Sequence, residues 1–296
     1  MFDLSLFGPG NVFIIAEAGC NHNGDFSIAE KLVDAAVEAG ADAVKFQAFQ
    51  PGCMIARDAP KAEYQIKATG TAESQHDRLC RMRLDREQMT RLKARCEAHG
   101  ILFCASGFDE PSVDMLVELG VEFLKIPSGE LTNIPLLQHI AAKGLPVIMS
   151  TGMADEQEIA AALGALSGTP QVMLLHCVSA YPSEWSDANL RALPTLAARF
   201  ELPVGFSDHS QDHELAIAAV ALGASCVEKH ITLDRTMEGG DHKASLEPDV
   251  FAHMVSKIRS LGAALGDGVI RCMDAEKNVR DVARKSIVAA RPIARG

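Results

Sequence analysis

The sequence predicts an α/β protein, and within that class a (β/α)8 TIM barrel, from three observations. Eight short runs rich in Val, Ile, Leu and Phe alternate with helix-like patterns, as expected for parallel βα units. Several of the helix-like patterns end in glycine, which commonly terminates a helix. The length of 296 residues also suits this fold. A doubly wound open sheet is the alternative, but eight strands would leave it without a clear topological switch point.

The predicted elements follow one another in strict alternation. Predicted strands cover residues 12–16, 43–48, 102–106, 123–127, 147–150, 172–177, 204–207 and 226–231. Predicted helices cover residues 27–39, 85–99, 110–119, 134–142, 155–166, 189–200, 212–222 and 248–265. Because parallel strands all point in one direction, we expect the residues at their carboxyl ends to meet on one face of the barrel.

Two segments fall outside this repeat. Residues 49–84 form a long polar connection after the second strand, which is either a substrate lid over the active-site face or a mobile decoration. Residues 274–284 resemble a short charged helix, and they lead into the strand-like run SIVAARPI. We therefore expect a catalytic barrel domain over residues 1–272, and over residues 273–296 a linker and the opening of a further domain that this chain lacks.

The composition argues against several classes of partner. A formal net charge of −11 at pH 7 makes nucleic acid and anionic membrane surfaces poor candidates. The chain has no apolar run of about 18 residues and no basic-apolar leader, so we expect a soluble, cytoplasmic protein. Its eight cysteines are scattered without a CxxC motif, which favours reduced thiols that pack as small apolar groups.

A carboxylate and two lysines accompany the apolar strand patterns. Glu17 directly follows the first predicted strand, where it is either a paired structural carboxylate or a general acid or base. Lys45 and Lys125 are flanked by apolar residues in the second and fourth strands. A buried ammonium needs an anionic partner. That partner is either a carboxylate of the chain, Glu17 or Glu130, or a bound phosphate or carboxylate.

Small hydroxyl side chains recur near other strand ends. A ring of hydroxyls beside two lysines suits a phosphorylated carboxylate better than a neutral ligand, and Tyr181 is suited to hydrogen bonding a sugar-like substrate. The serines of this ring are Ser106, Ser128, Ser150 and Ser207.

Two histidines and an aspartate form a candidate metal site. His209 and His230 lie at the ends of the seventh and eighth strands, and Asp241 lies in a Gly-rich loop just beyond. These residue types on adjacent strand ends predict a divalent-metal site. The alternative is a set of polar residues that are hydrogen bonded within the fold. Together, the strand-end residues predict a metal-assisted barrel enzyme that acts on an anionic, phosphorylated substrate, without naming the reaction.

Eight motifs in this order resemble those of the sialic acid (N-acetylneuraminate) synthases, including their legionaminic acid relatives. The resemblance covers about residues 11–265. SIVAARPI also resembles the entry to the small antifreeze-like (SAF) domain that follows the barrel in that family. The motifs are IAEAGCNHNG, AVKFQ, FLKIPSGE, VIMSTGM, LLHCVSAYP, GFSDHS, EKHIT and GGDHKASLEP.

The resemblance implies a transferase that condenses phosphoenolpyruvate with the open-chain aldehyde of N-acetylmannosamine or a related sugar. Carbon three attacks the aldehyde, water adds at carbon two, and C–O cleavage releases phosphate. The resemblance implies that phosphoenolpyruvate is held by Lys45, Lys125, Ser106, Ser128, Ser150, Ser179 and Ser207. It implies that the sugar is faced by Gln47, Tyr181 and Asp241.

The resemblance also implies a cofactor and an assembly. His209 and His230 would hold a divalent metal, usually Mn²⁺ with Mg²⁺ or Co²⁺ possible, that polarises the aldehyde oxygen. Glu17 would transfer protons, and Asp241 would lie close to the metal and its bound water; Glu17, His230 and Asp241 are thus the implied catalytic residues. The full-length relatives are homodimers, partly through exchange of the small domain, which supplies an arginine to the partner's sugar site.

The sequence departs from the family pattern at two places, and it is compatible with other functions. Ser106-Gly107-Phe108 replaces Thr-Pro-Phe, and Ser179 replaces an asparagine that contacts phosphate. The acceptor is alternatively a 2,4-diacetamido-trideoxy sugar, which gives legionaminic acid. Rival functions are a Schiff-base aldolase with Lys125 or Lys45 as nucleophile, and a ligand-binding or assembly module without catalysis.

Overall fold

The predicted TIM barrel is confirmed. The computed structural model describes residues 2–8, 10–57 and 74–296, and it forms two compact units, Met1–Leu265 and Gly266–Gly296. The first unit contains a closed barrel of eight parallel strands. Each strand pairs with the next, and the eighth strand pairs with the first.

The strands agree closely with the predicted positions. Strands β1–β8 cover Phe13–Gly19, Ala43–Ala48, Leu102–Gly107, Leu124–Ile126, Val147–Ser150, Val172–Cys177, Val204–Asp208 and Cys226–His230. β1 continues beyond its predicted end at residue 16, so Glu17 lies inside the strand rather than after it. β4 ends before Pro127, because proline has no N–H to donate to a neighbouring strand.

The described residues contain eleven α-helices. Helices α1–α11 cover Phe26–Glu38, Pro51–Met54, Gln75–Met82, Arg86–His99, Glu110–Leu119, Ile134–Ala141, Glu156–Ala165, Ala192–Phe200, Glu214–Ala221, Pro248–Leu265 and Lys277–Ala283. α4 and α7 each begin after an aspartate, Asp85 or Asp155, whose side chain accepts backbone hydrogen bonds from the first turn. α8 begins later than the predicted residue 189, because Asn189 has a left-handed backbone with φ of 41°.

The long connection after β2 is more structured than its sequence indicated. Helices α2 and α3 lie within residues 49–84, although the polar pattern predicted a loop there. Leu79 and Met82 of α3 are buried against Cys20 and Phe49, which fixes this helix beside the end of β1. The interpretation of the connection as a lid depends partly on residues 58–73, which lie outside the described residues.

The two faces of each strand meet different surroundings. Along β1, Ile14 and Ala16 belong to the apolar layer between barrel and helices, whereas Phe13 and Ile15 belong to a separate apolar cluster. Because side chains alternate along a strand, this second cluster fills the barrel interior. Phe2 stacks on Phe123 at a centroid distance of 4.8 Å and Phe7 lies 4.7 Å from Phe13, which closes the amino-terminal end of the barrel.

The second unit contains a 3-10 turn, Asp274–Glu276, and α11, where the sequence predicted a short charged helix. The strand-like pattern of residues 286–293 is not realised as a strand. A strand needs a neighbour to satisfy its backbone, and the described part of this unit contains no other strand. Among the helices of the described residues, none combines the length and apolar character that a bilayer crossing requires.

Candidate active site

The carboxyl-terminal face of the barrel contains a cavity of about 330 Å³. Every side chain that the sequence singled out for catalysis, substrate binding or metal binding lines this one cavity. The predicted residues that the structure brings together here are Glu17, Lys45, Gln47, Ser106, Lys125, Ser128, Ser150, Ser179, Tyr181, Ser207, His209, His230 and Asp241.

Strand alternation explains why the polar residues converge. On β1, the inward positions run from Phe13 through Ile15 to Glu17, so the interior changes from apolar to charged toward the carboxyl end. On β8, the same progression leads through Glu228 to His230. Each of these strands therefore places its ionisable side chains above a layer of buried apolar side chains.

Lys45 lies at the centre of the charged floor of the cavity. Its Nζ lies 2.9 Å from Glu17 Oε2 and 3.7 Å from Glu228 Oε2, and it donates a hydrogen bond of 3.1 Å to Ser106 Oγ. The pairing with Glu17 is one of the alternatives that the sequence left open. Among the described residues, the other alternative, Glu130, forms no ion pair with either lysine, and its carboxylate accepts a hydrogen bond from Asn133.

Lys125 forms the second half of this floor. Its Nζ donates hydrogen bonds to Ser150 Oγ at 2.7 Å and to the Ile126 carbonyl at 3.0 Å, and it lies 3.9 Å from Glu228 Oε2. Glu228 Oε1 also accepts a hydrogen bond of 3.0 Å from Ser207. Glu228 was not predicted as a site residue, although a carboxylate inside an apolar strand pattern was the available signal.

The two floor carboxylates have opposite protonation preferences. Burial raises the pKa of Glu17 to about 7. The positive charge of Lys45 lowers this pKa, whereas the negative charge of Glu228 raises it further. Burial also opposes the ionisation of Glu228, but the charges of Lys125 and Lys45 outweigh it and lower its pKa. Glu17 is therefore the floor carboxylate that can exchange a proton near neutral pH, whereas Glu228 stays ionised.

A small cradle lies beside Lys125. Gly152 N donates a hydrogen bond of 3.0 Å to Ser128 Oγ, which lies 3.3 Å from Cys177 Sγ. Ser179 lies on the same side, 3.9 Å from Cys177 Sγ. A Cβ atom at Gly152 would lie only 2.8 Å from both Ser128 Oγ and Cys177 Sγ, so the absence of a side chain keeps this cradle open.

The two histidines form the opposite wall. Their ring centroids are 5.5 Å apart, and the Tyr181 ring lies 4.2 Å from that of His209. His209 Nδ1 donates to the Val178 carbonyl at 2.7 Å, which leaves the Nε2 lone pair available. Burial lowers the pKa of His209 to about 4 and that of His230 well below its usual value, so both imidazoles are neutral.

The histidine pair fits one side of a divalent-metal site. Neutral imidazole is the form that binds metal ions, and His230 Nδ1 is buried without a hydrogen-bond partner in the described chain. Asp241 lines the same cavity, and burial raises its pKa. Among the described residues, no three His, Cys, Asp or Glu side chains are grouped closely enough to bind a metal ion by themselves. In the described part of the chain, the pair therefore offers two imidazole nitrogens to an ion and no third protein ligand beside them.

A buried ion pair behind the histidines fixes their positions. Lys229 Nζ donates to Asp208 Oδ2 at 2.9 Å and to the Ser210 carbonyl at 2.7 Å. Asp208 Oδ1 in turn accepts the Ser210 N–H at 2.8 Å. Asp208 and Ser210 flank His209 in sequence and Lys229 precedes His230, so this network joins the two histidine-bearing strands on their outward face.

Sequence reasoning missed three residues of α3 that also line the cavity. Gln75, Arg78 and Leu79 reach it from the connection that was interpreted as a loop. The sequence signal was weak, because α3 has only eight residues and follows a polar stretch. Its contact with the barrel depends on packing that no local pattern reveals.

Comparisons with known proteins agree with this architecture. Residues 32–270 match the model of the NeuB family. The N,N'-diacetyllegionaminic acid synthase of Legionella pneumophila is 44% identical over 290 residues, which cover 96% of this chain and 82% of that protein. The N-acetylneuraminate-9-phosphate synthase of Homo sapiens is 37% identical over 292 residues, which cover 98% of this chain and 81% of that protein.

A solved structure also resembles this chain in both sequence and fold. The N-acetylneuraminic acid (sialic acid) synthetase of Leptospira borgpetersenii, in complex with citrate, superposes with a TM-score of 0.80 at 38% sequence identity, and the match covers 94% of each chain. The family match covers the barrel from α1 onward, and the sequence identities and the superposition cover at least 94% of this chain. The chain therefore belongs to the NeuB family.

Proposed function

We propose that this protein is a synthase that condenses phosphoenolpyruvate with an N-acetylmannosamine-type aldehyde to give a nonulosonic acid and phosphate. The observation that carries the proposal is the cavity itself, where two buried lysines and a ring of serines lie opposite a pair of neutral histidines. The names of the relatives, synthases of legionaminic acid and of N-acetylneuraminate 9-phosphate, support the same reaction class.

The floor of the cavity suits phosphoenolpyruvate because its charge is incompletely balanced. With Glu17 protonated, Lys45 and Lys125 share a single ionised carboxylate, Glu228. The remaining positive charge would attract a carboxylate and a phosphate, and serine hydroxyls provide hydrogen bonds to both. The cradle around Ser128 offers the recess for the phosphate group.

The residues have distinct tasks in the proposed reaction. Carbon three of phosphoenolpyruvate forms a bond to the aldehyde carbon, and water adds at carbon two. The C–O bond to phosphate then breaks as the tetrahedral intermediate collapses. Glu17, with a pKa of about 7, takes the proton from the attacking water or delivers one to the sugar oxygen. Lys45 and Lys125 stabilise the negative charge of the departing phosphate.

His209 and His230 would hold a divalent ion, Mn²⁺ first with Mg²⁺ or Co²⁺ as alternatives. Bound there, the ion would supply Lewis-acid polarisation of the aldehyde oxygen. The hydrogen bond from His209 Nδ1 to Val178 fixes the tautomer that this requires. Asp241 would orient the acceptor and water beside this pair.

A diacetamido-trideoxy sugar is the second candidate acceptor. The 44% identity with the N,N'-diacetyllegionaminic acid synthase of Legionella pneumophila favours this acceptor, because it is the sugar from which legionaminic acid would be made. The two candidates share the floor chemistry and differ only in the acceptor.

Phosphate release from phosphoenolpyruvate, with Mn²⁺ and a panel of mannosamine-type aldehydes, tests the proposal. We expect release with at least one acceptor, loss of release with EDTA, and loss of release in Lys125→Met. Borohydride should trap no covalent adduct, because the proposed lysines bind anions and do not form a Schiff base. Metal-independent turnover with a trapped adduct would instead identify the Schiff-base aldolase, and binding without turnover would identify the non-catalytic module.

A further inference from the structure

Arg78 adds a cation to the cavity that the reaction described above does not use. It lies in α3, is only 4% exposed and lines the cavity. Its Nε atom is buried and has no hydrogen-bond partner in the part of the chain that the structure describes. A guanidinium in this condition is costly to bury unless an anion approaches it.

The other buried cations of this region already have carboxylate partners. Lys45 pairs with Glu17 and Glu228, and Lys229 pairs with Asp208. Among the described residues, no salt bridge of this kind includes Arg78. The guanidinium of Arg78 can therefore still bind an anion that enters the cavity.

Arg78 lies in the cavity lining close enough to Asp241 for the two charges to interact. Burial raises the pKa of Asp241, and the positive charge of Arg78 counteracts this effect. The same charge acts on Cys20, whose thiol donates a hydrogen bond of 3.2 Å to Gln47 Oε1. Asp241 and Gln47 are residues that the family resemblance places at the sugar.

A second unpartnered group lies one helical turn before Arg78. Gln75 lines the cavity, and its Oε1 atom is buried without a hydrogen-bond partner in the described residues. Positions three apart lie on the same face of a helix. α3 therefore presents an anion-binding donor and a hydrogen-bond acceptor side by side, and its packing through Leu79 and Met82 holds them there.

We infer that Arg78 and Gln75 form a subsite for a negatively charged substituent of the aldehyde acceptor. A phosphate monoester or a carboxylate pairs with Arg78, and a neighbouring sugar hydroxyl donates to Gln75 Oε1. This inference rests on the proposed condensation and narrows it, because it favours a charged N-acetylmannosamine-type acceptor over the neutral diacetamido-trideoxy sugar.

The test compares three sugars of matched stereochemistry: N-acetylmannosamine, its 6-phosphate and N-acetylmannosaminuronate. Calorimetric titration of the full chain measures their affinities whether or not they turn over. We expect at least one of the two charged sugars to bind about 30-fold more tightly than the neutral sugar, and the preferred one identifies the substituent. Arg78→Met should abolish this preference, and Arg78→Lys should retain part of it.

Arg83→Met is the matched control, because it removes the same charge from the exposed residue that caps the carboxyl end of the same helix, and it should keep the preference. Equal or tighter binding of the neutral sugar by the unmodified protein would overturn the inference. So would an equal loss for all three sugars in Arg78→Met with an unchanged melting temperature, since this would indicate a contact to a neutral group. Arg78→Met should leave phosphoenolpyruvate binding unaffected. If the unmodified protein does not bind phosphoenolpyruvate, the proposed function is refuted. The ranking of the three sugars still decides the subsite in that case.

Discussion

The two faces of strands β7 and β8 contain buried charges of different kinds. On the outward face, Lys229 and Asp208 are both 0% exposed, and the ammonium also donates to the Ser210 carbonyl. On the inward face, Glu228 shares its charge between two lysines at 3.7 and 3.9 Å, and its Oε2 atom has no hydrogen-bond partner among the described residues. A closed network of charges supports the fold, whereas an open one leaves capacity for a ligand.

The largest effect should follow from opening the closed network. Lys229→Met leaves the carboxylate of Asp208 buried without a countercharge, which costs about 3–5 kcal/mol. We expect a corresponding fall in the free energy of unfolding, measured by urea denaturation. Asp208→Leu combined with Lys229→Met should recover most of this loss, because an apolar pair needs no countercharge. A single variant as stable as the unmodified protein would contradict the structural role of the pair.

Glu17→Gln should have the next largest effect, and here the quantity that changes is the catalytic rate. Loss of the proton-transferring carboxyl should lower kcat by about 100-fold or more. The limb of the pH–rate profile near pH 7, which we assign to Glu17, should disappear. An unchanged profile in the variant would show that another group titrates there.

Glu17→Gln should also change how the free energy of unfolding depends on pH. Because burial raises the folded-state pKa of Glu17 from 4.5 to about 7, the folded protein binds this proton more tightly than the unfolded chain. Glu17 therefore contributes stability below pH 4.5 that is lost as the pH rises to about 7. Glu17→Gln should remove this loss, so its stability relative to the unmodified protein should rise across that window in urea denaturation at several pH values.

Lys125→Met tests the open network directly. We expect phosphoenolpyruvate affinity to fall about 100-fold, since a desolvated charge contact to the ligand is removed. Stability should fall less than in Lys229→Met, because Glu228 keeps Lys45 and the Ser207 hydroxyl. Calorimetry and denaturation on the same preparation give both values, and a stability loss equal to that of Lys229→Met would contradict the distinction between the two faces.

Gly152→Ala should have the smallest of these effects. A methyl group would crowd Ser128 and Cys177 in the cradle beside Lys125. Because this methyl group would occupy the cradle, we expect phosphoenolpyruvate to bind about tenfold more weakly, a loss of about 1.4 kcal/mol. Inorganic phosphate should be weakened to the same extent if the cradle holds the phosphate group, and unchanged phosphate affinity would place that group elsewhere.

The sequence predicted the barrel well because strand identity is a local property. Apolar runs, helix-ending glycines and alternation locate each element, and they place Glu17, Lys45 and His230 on one face of the barrel. The end of β1 was predicted too early because an apolar pattern stops at a charged residue, even where tertiary pairing with Lys45 buries that charge.

The unpredicted parts depend on contacts that are distant in sequence. Glu228 becomes a shared counterion only when β2 and β4 bring their lysines to it. Arg78 belongs to the cavity only because Leu79 packs against Cys20 near the end of β1. The polar pattern of residues 49–84 shows neither relation, since it resembles that of an ordinary surface loop.

The aromatic plug formed by Phe2, Phe7, Phe13 and Phe123 has a consequence for the order of events. It seals one end of the barrel, so among the described residues the cavity opens only toward the opposite rim, where molecules enter and leave. In the proposed reaction, the molecule that binds to the lysine floor therefore has to arrive before the sugar covers it. Phosphate formed there departs only after the product above it has moved aside.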